Sequence, residues 1–194
     1  MKLAMLGGSF NPVHIGHLML VQTALEQFNF DKIIFVPAYN PPHKELASGA
    51  SAEDRLCMLQ KAVAGNPRYD IEDCELKRQG SSYTIETVLF LEKKYKQSLE
   101  SKIGLIIGND LVKDFHLWKD VDNLAQKTDI ITANRDCKNA DEILQYPHRT
   151  MHNDFLAVSS QMIRHKIACA EDWKHLVPYD VYCYITDRNL YACT

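Results

Sequence analysis

Short apolar runs alternate along the chain with segments in which apolar residues recur every three or four positions. Runs over 3–6, 33–36, 103–107 and 129–132 have the length and composition of buried strands, and a further strand is predicted over 69–76. The first run stops at a pair of glycines and the second stops at a proline, which are residues that interrupt strands. The pattern therefore predicts five strands.

Helical spacing is found between these runs. Leu18, Val21, Leu25 and Phe28 lie three or four residues apart, directly after the first strand, and predict an amphipathic helix. The other predicted helices are one that follows a capping box at 51–54 and buries Leu56, Leu59 and Val63, one over 85–95, and one that begins within 158–164.

This alternation of strands and helices is typical of an α/β protein with right-handed crossovers. We expect a single Rossmann-like domain over residues 1–194, with a parallel sheet and helices on both faces, because no repeat, linker or low-complexity segment divides the chain. In such a sheet, ligands bind in the crevice at the carboxyl ends of the strands. The polar residues that follow each strand are therefore the candidate functional residues.

The composition of the chain limits the classes of partner that it is expected to bind. The chain has 194 residues, a formal net charge of −3 and 46% hydrophobic residues, and its lysines and arginines are scattered. We therefore expect no nucleic-acid partner, and no membrane association, because the apolar runs are too short to span a bilayer. The first strand begins at once, so no targeting segment is expected. The six cysteines form no C-x-x-C pair, which favours free thiols in a cytoplasmic protein.

The first strand leads into the most distinctive segment of the chain. Two glycines, Ser9 and Phe10 are followed by His14-Ile15-Gly16-His17 at the start of the first helix. Glycines let backbone N–H groups approach an anion, and the helix start adds the positive end of a dipole. His14 and His17 are three positions apart and project to one side of the first turn. The segment therefore predicts a site for nucleotide phosphates.

This segment also has simpler interpretations. A glycine pair after a strand is most often only a turn, and a single histidine is most often a surface or core residue. Two histidines could also bind a metal, but no His-Glu-x-x-His and no cysteine pair completes such a site. No protein metal ligand is therefore predicted. No P-loop and no G-x-G-x-x-G is present, so a triphosphate would be held by other means.

Unusual residues also follow the second and fourth strands. The second strand enters a polar loop, 37–50, in which two prolines precede His43 and Lys44. Stiffened in this way, the loop is interpreted as a phosphate clamp, although a lone lysine is more often a solvated surface residue. The fourth strand ends at Gly108, and Asp110 behind it suits sugar hydroxyls. Trp118 fits either a core position or a stacking partner for a ring.

A last polar segment begins the helix predicted from 158 onwards. Ser159 and Ser160 suit the start of a helix, where serine caps the first turn. The same hydroxyls and N–H groups can meet an anion. Arg164 lies one turn further on and can reach that anion with a charged fork.

Together these motifs resemble the bacterial nicotinate mononucleotide adenylyltransferases, which belong to the His-x-Gly-His nucleotidyltransferase superfamily. The histidine motif alone resembles the superfamily, and the later motifs narrow the resemblance to this branch. Asn11 departs from the aspartate that is frequent in the family, and Gln161 departs from a frequent threonine or serine. The resemblance covers nearly the whole chain and is carried by Gly7 to Pro12, His14 and His17, Pro41 to Lys44, Arg55, Met58 and Leu59, Ser82 to Ile85, Gly108 to Asp110, Trp118, Ser159 to Arg164, Tyr184 and Ile185, and Leu190 and Tyr191.

The resemblance implies that AMP is transferred from ATP to nicotinate mononucleotide, which gives deamido-NAD and pyrophosphate. His14, His17, Lys44 and Arg164 would be the catalytic residues, with Mg²⁺ bound mainly through the ATP phosphates. Tyr83, Thr84 and Trp118 would bind the pyridine substrate together with Lys44. The residues implied in ATP binding are Gly7, Gly8, Ser9, Phe10, His14, His17, Gly108, Asp110, Ser159, Ser160, Ile163 and Arg164.

Alternatives remain open from the sequence. A sibling enzyme would adenylate nicotinamide mononucleotide or pantetheine phosphate, and a cytidylyltransferase would use CTP. A different class is a catalytically silent nucleotide-binding module, which would bind ATP without releasing pyrophosphate. The expected partners are ATP and nicotinate mononucleotide, and self-association into a homo-oligomer stays open.

Overall fold

Six strands form one parallel sheet in the part of the chain that the computed structural model describes, which comprises residues 1–42, 46–133, 144–152 and 157–192. Their bounds are β1 (Leu3–Gly8), β2 (Lys32–Pro37), β3 (Tyr69–Ile71), β4 (Ile103–Gly108), β5 (Thr128–Ala133) and β6 (His148–Met151). The strand order is β3-β2-β1-β4-β5-β6, and every pairing is parallel. The order reverses between β1 and β4, which is where a sheet of this kind opens a crevice.

Seven α-helices connect and cover these strands within the described residues. They are α1 (Ile15–Phe28), α2 (Ala52–Val63), α3 (Cys74–Arg78), α4 (Thr84–Tyr95), α5 (Val121–Lys127), α6 (Ser160–Ala168) and α7 (Tyr179–Asp187), with short 3₁₀ turns at Asn109–Leu111, Phe115–Leu117 and Lys174–Leu176.

Alternate residues of β1 enter two separate cores, because successive side chains of a strand point to opposite faces. Ala4 and Leu6 pack with buried residues of α1, α2, α6 and α7. Leu3 and Met5 pack with buried residues of α4 and α5 on the other face. Both faces of the sheet are therefore covered by helices. The predicted Rossmann-like α/β fold is confirmed.

Helix α2 is fixed at its start and against α7 by one carboxylate. The backbone N–H of Asp54 donates to Ser51 Oγ at 3.0 Å, while Asp54 Oδ2 accepts from the Ser51 backbone at 3.0 Å, which confirms the predicted capping box. Oδ1 of the same side chain accepts from the Tyr184 hydroxyl at 2.9 Å and pairs with Arg188 at 3.0 Å. Burial opposes ionisation of Asp54, but these hydrogen bonds and the Arg188 charge hold its pKa below the ordinary value.

Two expectations for the sheet differ from the structure. The strand predicted over 69–76 is too long, because β3 ends at Ile71 and residues 74–78 form α3. An apolar pattern as short as this one fits either kind of element. The edge strand β6 is missing from the sequence prediction, since two of its four residues are exposed and it contains no apolar run. None of the helices in the described residues combines the length and apolarity that crossing a membrane requires.

Candidate active site

The crevice lies where β1 and β4 end side by side. Leu6 pairs with Ile106, so Gly8 and Gly108, each two residues further along, end the two strands at the same level. The backbone leaves both strands without a side chain at this point. A ligand can therefore approach the main chain here, as predicted for a nucleotide site.

His14 and His17 stand together at the amino end of α1, directly after the β1 turn. Both side chains are buried, and their ring centroids lie 3.7 Å apart. This confirms that the two histidines project to the same side of the first turn. The backbone N–H of His14 donates to Nδ1 of His17 at 3.2 Å. Because Nδ1 accepts this bond, the neutral ring carries its proton on Nε2, which makes Nε2 a hydrogen-bond donor.

Gly16 lies between the two histidines in sequence, where the segment that leads into α6 packs against the start of α1. A Cβ added at this position would lie 2.8 Å from Cγ1 of Val158 and 3.1 Å from Nδ1 of His14. Any side chain would therefore push apart the His14 ring and the segment that leads into α6. The glycine lets the starts of α1 and α6 approach each other closely.

Phe10 packs inside the turn that follows β1. It adopts a positive φ of 46° and is 1% exposed, and its ring meets the His17 ring edge-on with centroids 5.0 Å apart. A Cβ on Gly8 would lie 3.2 Å from the tip of the Phe10 ring. The side chain of Phe10 is thus a packing element, and what the turn can offer to a ligand is its backbone.

Arg55 is buried beneath this turn, and its role was not identified from the sequence. Its side chain, 2% exposed, donates from Nη1 to the carbonyls of Ser9 at 2.7 Å and Ala38 at 2.8 Å. Burial lowers the pKa of the guanidinium. One charged group thereby joins the segments that follow β1 and β2. An arginine on an otherwise amphipathic helix carries no local signal that it is buried.

The start of α6 is tied to the segment before His14. Ser160 Oγ donates to the Pro12 carbonyl at 2.8 Å, and Arg164 Nη1 donates to the Asn11 carbonyl at 2.6 Å. Ser159 caps the helix by accepting from the Met162 backbone at 3.1 Å. Arg164 therefore lies beside the β1–α1 segment, and its guanidinium has further donors that can reach an anion.

Ile163 and Gln161 lie on different sides of the same helix. Ile163 is fully buried in the core on the α1 face, so its side chain packs there. Gln161 is exposed. Gln161 therefore leaves the cap formed by Ser159 unchanged.

Asn11 joins three distant parts of the chain. Its side-chain amide donates to the Ala47 carbonyl at 2.8 Å, and its Oδ1 accepts from the Tyr191 hydroxyl at 2.6 Å. Burial raises the pKa of the Tyr191 hydroxyl, so this group stays a proton donor. An aspartate could accept from Tyr191 but could not donate to Ala47. These two hydrogen bonds therefore explain why asparagine suits position 11 of this chain.

The segment that begins α4 lies beside the polar loop after β2. Ser82 donates from its backbone to the Asn40 carbonyl at 2.9 Å, and its hydroxyl accepts from the Tyr39 backbone at 2.9 Å. This pairing fixes the start of the polar loop, while the bond from Asn11 to Ala47 fixes its far end. His43 and Lys44, the residues predicted to form the clamp, lie outside the described residues.

Tyr83, Thr84 and Trp118 are the residues predicted to form a pyridine pocket, and they lie in two segments of the chain. Lys119 connects the two segments, because its Nζ lies 4.2 Å from the centre of the Tyr83 ring. Thr84 is the first residue of α4, where helix N–H groups point outward. Trp118 is half-buried and packs against the Phe115 ring with centroids 4.9 Å apart. Part of the Trp118 surface is therefore covered by packing, and the rest is accessible.

Gly108 ends β4, and Asp110 lies two residues further along the chain. Gly108 is buried and pairs with Ala133 of β5, while Asp110 is exposed in a 3₁₀ turn. The carboxylate therefore stands at the strand end, where it was predicted to meet sugar hydroxyls.

Comparison with known proteins gives a family and a set of full-length relatives. Residues 5–166 match the family model described as cytidylyltransferase-like. A "probable nicotinate-nucleotide adenylyltransferase" of Borreliella afzelii is 39% identical over 192 residues, which is 99% of this chain and 97% of that protein. One of the same description from Treponema pallidum (strain Nichols) is 36% identical over 202 residues, with 98% and 99% covered.

Solved structures share the fold. The chain superimposes on Plasmodium falciparum nicotinic acid mononucleotide adenylyltransferase complexed with APC with a TM-score of 0.78, at 17% identity and with 98% and 96% of the two chains covered. For the same protein complexed with NaAD the TM-score is 0.77, at 19% identity, with 98% and 97% covered. At this level of identity the likeness supports the α/β fold described above.

Proposed function

The chain belongs to the cytidylyltransferase-like family and, within it, to the nicotinate-nucleotide adenylyltransferases, and from this premise we propose the chemistry of its site. The protein transfers AMP from ATP to nicotinate mononucleotide, and the products are deamido-NAD and pyrophosphate. The reaction is a step of NAD biosynthesis.

One observation carries the assignment of the reacting centre. The His14 and His17 ring centroids lie 3.7 Å apart at the amino end of α1, after the turn that follows β1. Two donors and a helix start thus converge on a single place in the crevice. That arrangement suits the oxygens of a phosphate chain, and in particular the charge that develops when one phosphate leaves.

The substrate supplies its own nucleophile. The phosphate of a mononucleotide is already an anion, so the reaction needs no general base and no covalent enzyme intermediate. The protein has to align that phosphate with the α-phosphorus of ATP and to stabilise the negative charge of the transition state. His17, through Nε2, is the principal donor in this proposal, and His14 assists it.

Further groups share the ATP phosphates. Arg164 neutralises the departing pyrophosphate, and Lys44 does so from the polar loop. Ser159 and Ser160 lie at the start of α6 and face the same nucleotide, while Gly108 and Asp110 meet the ribose of adenosine. We assign the remaining contacts to the turn formed by Gly7, Gly8, Ser9 and Phe10 and to the backbone at Ile163.

The pyridine substrate occupies the pocket formed by Tyr83, Thr84 and Trp118. The outward N–H groups at the start of α4 suit the nicotinate carboxylate, because an anion is stabilised at a helix amino end. The accessible surface of Trp118 is available for stacking on the pyridine ring. Lys44 contacts this substrate as well as ATP.

The donor set of the site fits phosphate oxygens better than a metal ion. Among the described residues proposed to contact substrate, side chains offer imidazole, guanidinium, hydroxyl and a single carboxylate, Asp110. Mg²⁺ prefers oxygen ligands and often reaches proteins through substrate phosphates and water. We therefore propose that Mg²⁺ binds mainly through the ATP phosphates, whose charge it neutralises when bound.

A pyrophosphate-release assay tests the function. The purified chain with ATP and Mg²⁺ is given nicotinate mononucleotide, nicotinamide mononucleotide or pantetheine phosphate in turn, and CTP replaces ATP in a parallel series. Release with nicotinate mononucleotide, together with deamido-NAD identified by chromatography, is the expected result. The absence of pyrophosphate above background with either pyridine mononucleotide would favour the silent nucleotide-binding module instead.

Two properties of the protein in the cell are also proposed. Function in the cytoplasm agrees with the free thiols of the four cysteines in the described residues, Cys57, Cys74, Cys169 and Cys183. Self-association into a homo-oligomer is the second proposal, and light scattering of the purified chain tests it.

A further inference from the structure

The carboxyl end of α6 brings together an imidazole, a thiol and a carboxylate. His165, Cys169 and Glu171 are all exposed, and each offers one ligand atom such that these atoms lie within 4.8 Å of one another. Ser160 and Arg164 of the same helix contact the segment before His14, so the substrate-binding contacts proposed above leave this cluster unexplained.

The backbone explains why the three side chains meet. His165 and Cys169 are four residues apart, which places them on one face of α6, and the Cys169 N–H donates to the His165 carbonyl at 3.0 Å. Ala170 then adopts a positive φ of 54°, which turns the chain back at the end of the helix. The Glu171 N–H donates to the Lys166 carbonyl at 2.8 Å and completes this turn. Glu171 thereby returns to the helix end beside the other two ligands.

The distances suit a small tetrahedral cation. Cys169 Sγ lies 3.8 Å from His165 Nε2 and 3.9 Å from Nδ1. A tetrahedral zinc ion with its usual bonds to sulfur and nitrogen separates these two ligand atoms by about 3.6 Å. The pair therefore needs to close by only a few tenths of an ångström. Because all three side chains are exposed, rotation of their outer bonds meets no packed core.

Lys166 competes for one of these ligands. Its Nζ pairs with Oε2 of Glu171 at 2.8 Å. A carboxylate has two oxygens, so Oε1 can bind a cation while Oε2 remains on the lysine. The neighbouring positive charge lowers the affinity for a metal, which places this site among weaker, exchangeable sites rather than closed structural ones.

We propose that His165, Cys169 and Glu171, with water in the fourth position, bind a divalent cation of the zinc class. Thiolate and imidazole ligands select zinc over magnesium or calcium, which prefer oxygen. The bound ion joins the last turn of the helix that carries Arg164 to the residues that follow it.

Zinc binding to the full chain tests the proposal. Equilibrium dialysis measures bound zinc for the wild type and for Cys169→Ser, His165→Ala and Glu171→Gln. The wild type is expected to bind one zinc ion, and each variant should bind it at least about 10-fold more weakly. Loss of a residue that only supports a metal ligand already weakens metal binding by about 10- to 100-fold, and these variants lose a ligand itself. His175→Ala is the matched control, because His175 is an exposed histidine just beyond the cluster that pairs with Asp172 at 3.6 Å.

Cobalt provides a second readout that is independent of activity. Co²⁺ bound to a thiolate gives a charge-transfer absorption, and this band should be present in the wild type and in His175→Ala and Cys183→Ser. It should be absent in Cys169→Ser. Equal zinc binding by the wild type and Cys169→Ser, or a cobalt band that survives that substitution, would overturn the proposal. Unchanged affinity in Glu171→Gln would overturn the three-ligand site.

Discussion

The backbone N–H of His14 donates to Nδ1 of His17, and this bond determines which nitrogen of the neutral His17 ring carries the proton. Nε2 becomes the donor, while the His14 ring packs beside the His17 ring with centroids 3.7 Å apart. A donor whose orientation is fixed before substrate arrives costs little reorganisation when negative charge develops.

Replacement of His17 tests this role. His17→Ala removes a donor that matters most in the transition state, so kcat should fall roughly 10²- to 10³-fold while ATP binding changes less. Steady-state kinetics and ATP titration measure the two effects. His116→Ala is the control, since His116 is an exposed histidine of a 3₁₀ turn. A kcat within a few-fold of the wild-type value would show that His17 is not the principal donor.

Lys44 is expected to behave differently. A clamp on the triphosphate also binds the ground state, so Lys44→Ala should raise KM for ATP as well as lower kcat. Initial rates over a range of ATP concentrations separate these effects. The exposed Lys96, at the end of α4, provides the control substitution Lys96→Ala. Unchanged KM and kcat in Lys44→Ala would contradict the clamp role and indicate that Lys44 is an ordinary solvated lysine.

The pyridine pocket should distinguish an acid from an amide. Nicotinate and nicotinamide differ little in shape, but an amide NH₂ that faces a backbone donor leaves that donor unsatisfied, at a cost of about 1–3 kcal/mol. We therefore expect kcat/KM for nicotinate mononucleotide to exceed that for nicotinamide mononucleotide by at least about tenfold. Trp118→Ala should weaken both substrates by removing the stacking surface. If the wild type has comparable kcat/KM values for the two mononucleotides, the proposed pyridine pocket is refuted, but the proposed adenylyl transfer is not.

Replacement of Asn11 by aspartate should destabilise the protein. In Asn11→Asp, a carboxylate oxygen would face the Ala47 carbonyl that the amide now satisfies, which should lower the free energy of unfolding by about 1–3 kcal/mol. Chemical denaturation measures it. Tyr191→Phe tests the other bond of the same side chain, and a double variant shows whether the two losses are coupled. An Asn11→Asp protein as stable as the wild type would contradict the structural role of the amide.

Asp54 should make stability depend on acidity. Its pKa in the folded protein lies below the ordinary value of 3.8, so its contribution is present above that value and is lost as the pH falls through the lower folded pKa. Asp54→Asn should therefore destabilise the protein by about 1–3 kcal/mol near neutral pH and by less in strong acid. Denaturation at several pH values measures this. Asp187→Asn, at an exposed position, should leave the pH profile unchanged; an equal loss at every pH in Asp54→Asn would argue against the linkage.

Features that depend on neighbouring residues could be predicted from the sequence, whereas features that depend on contacts between distant residues could not. The strand, the glycines and the paired histidines of the β1–α1 segment are contiguous, so periodicity and motif spacing found them. The role of Arg55 depends on carbonyls of Ser9 and Ala38, and such contacts leave no local pattern. The same holds for β6, which packs as an edge strand with little apolar character. The ligand roles remain predictions.

The bond between Asn11 and Tyr191 spans 180 residues of sequence and so has a consequence for the order of events during synthesis. A nascent chain exposes the β1–α1 segment early, yet the partner of Asn11 Oδ1 leaves the ribosome only after residue 191 has been made. Contacts this distant are also slow to form, since a long loop has to close first. All six described strands end by Met151, so the whole sheet has been synthesised before this hydrogen bond can form.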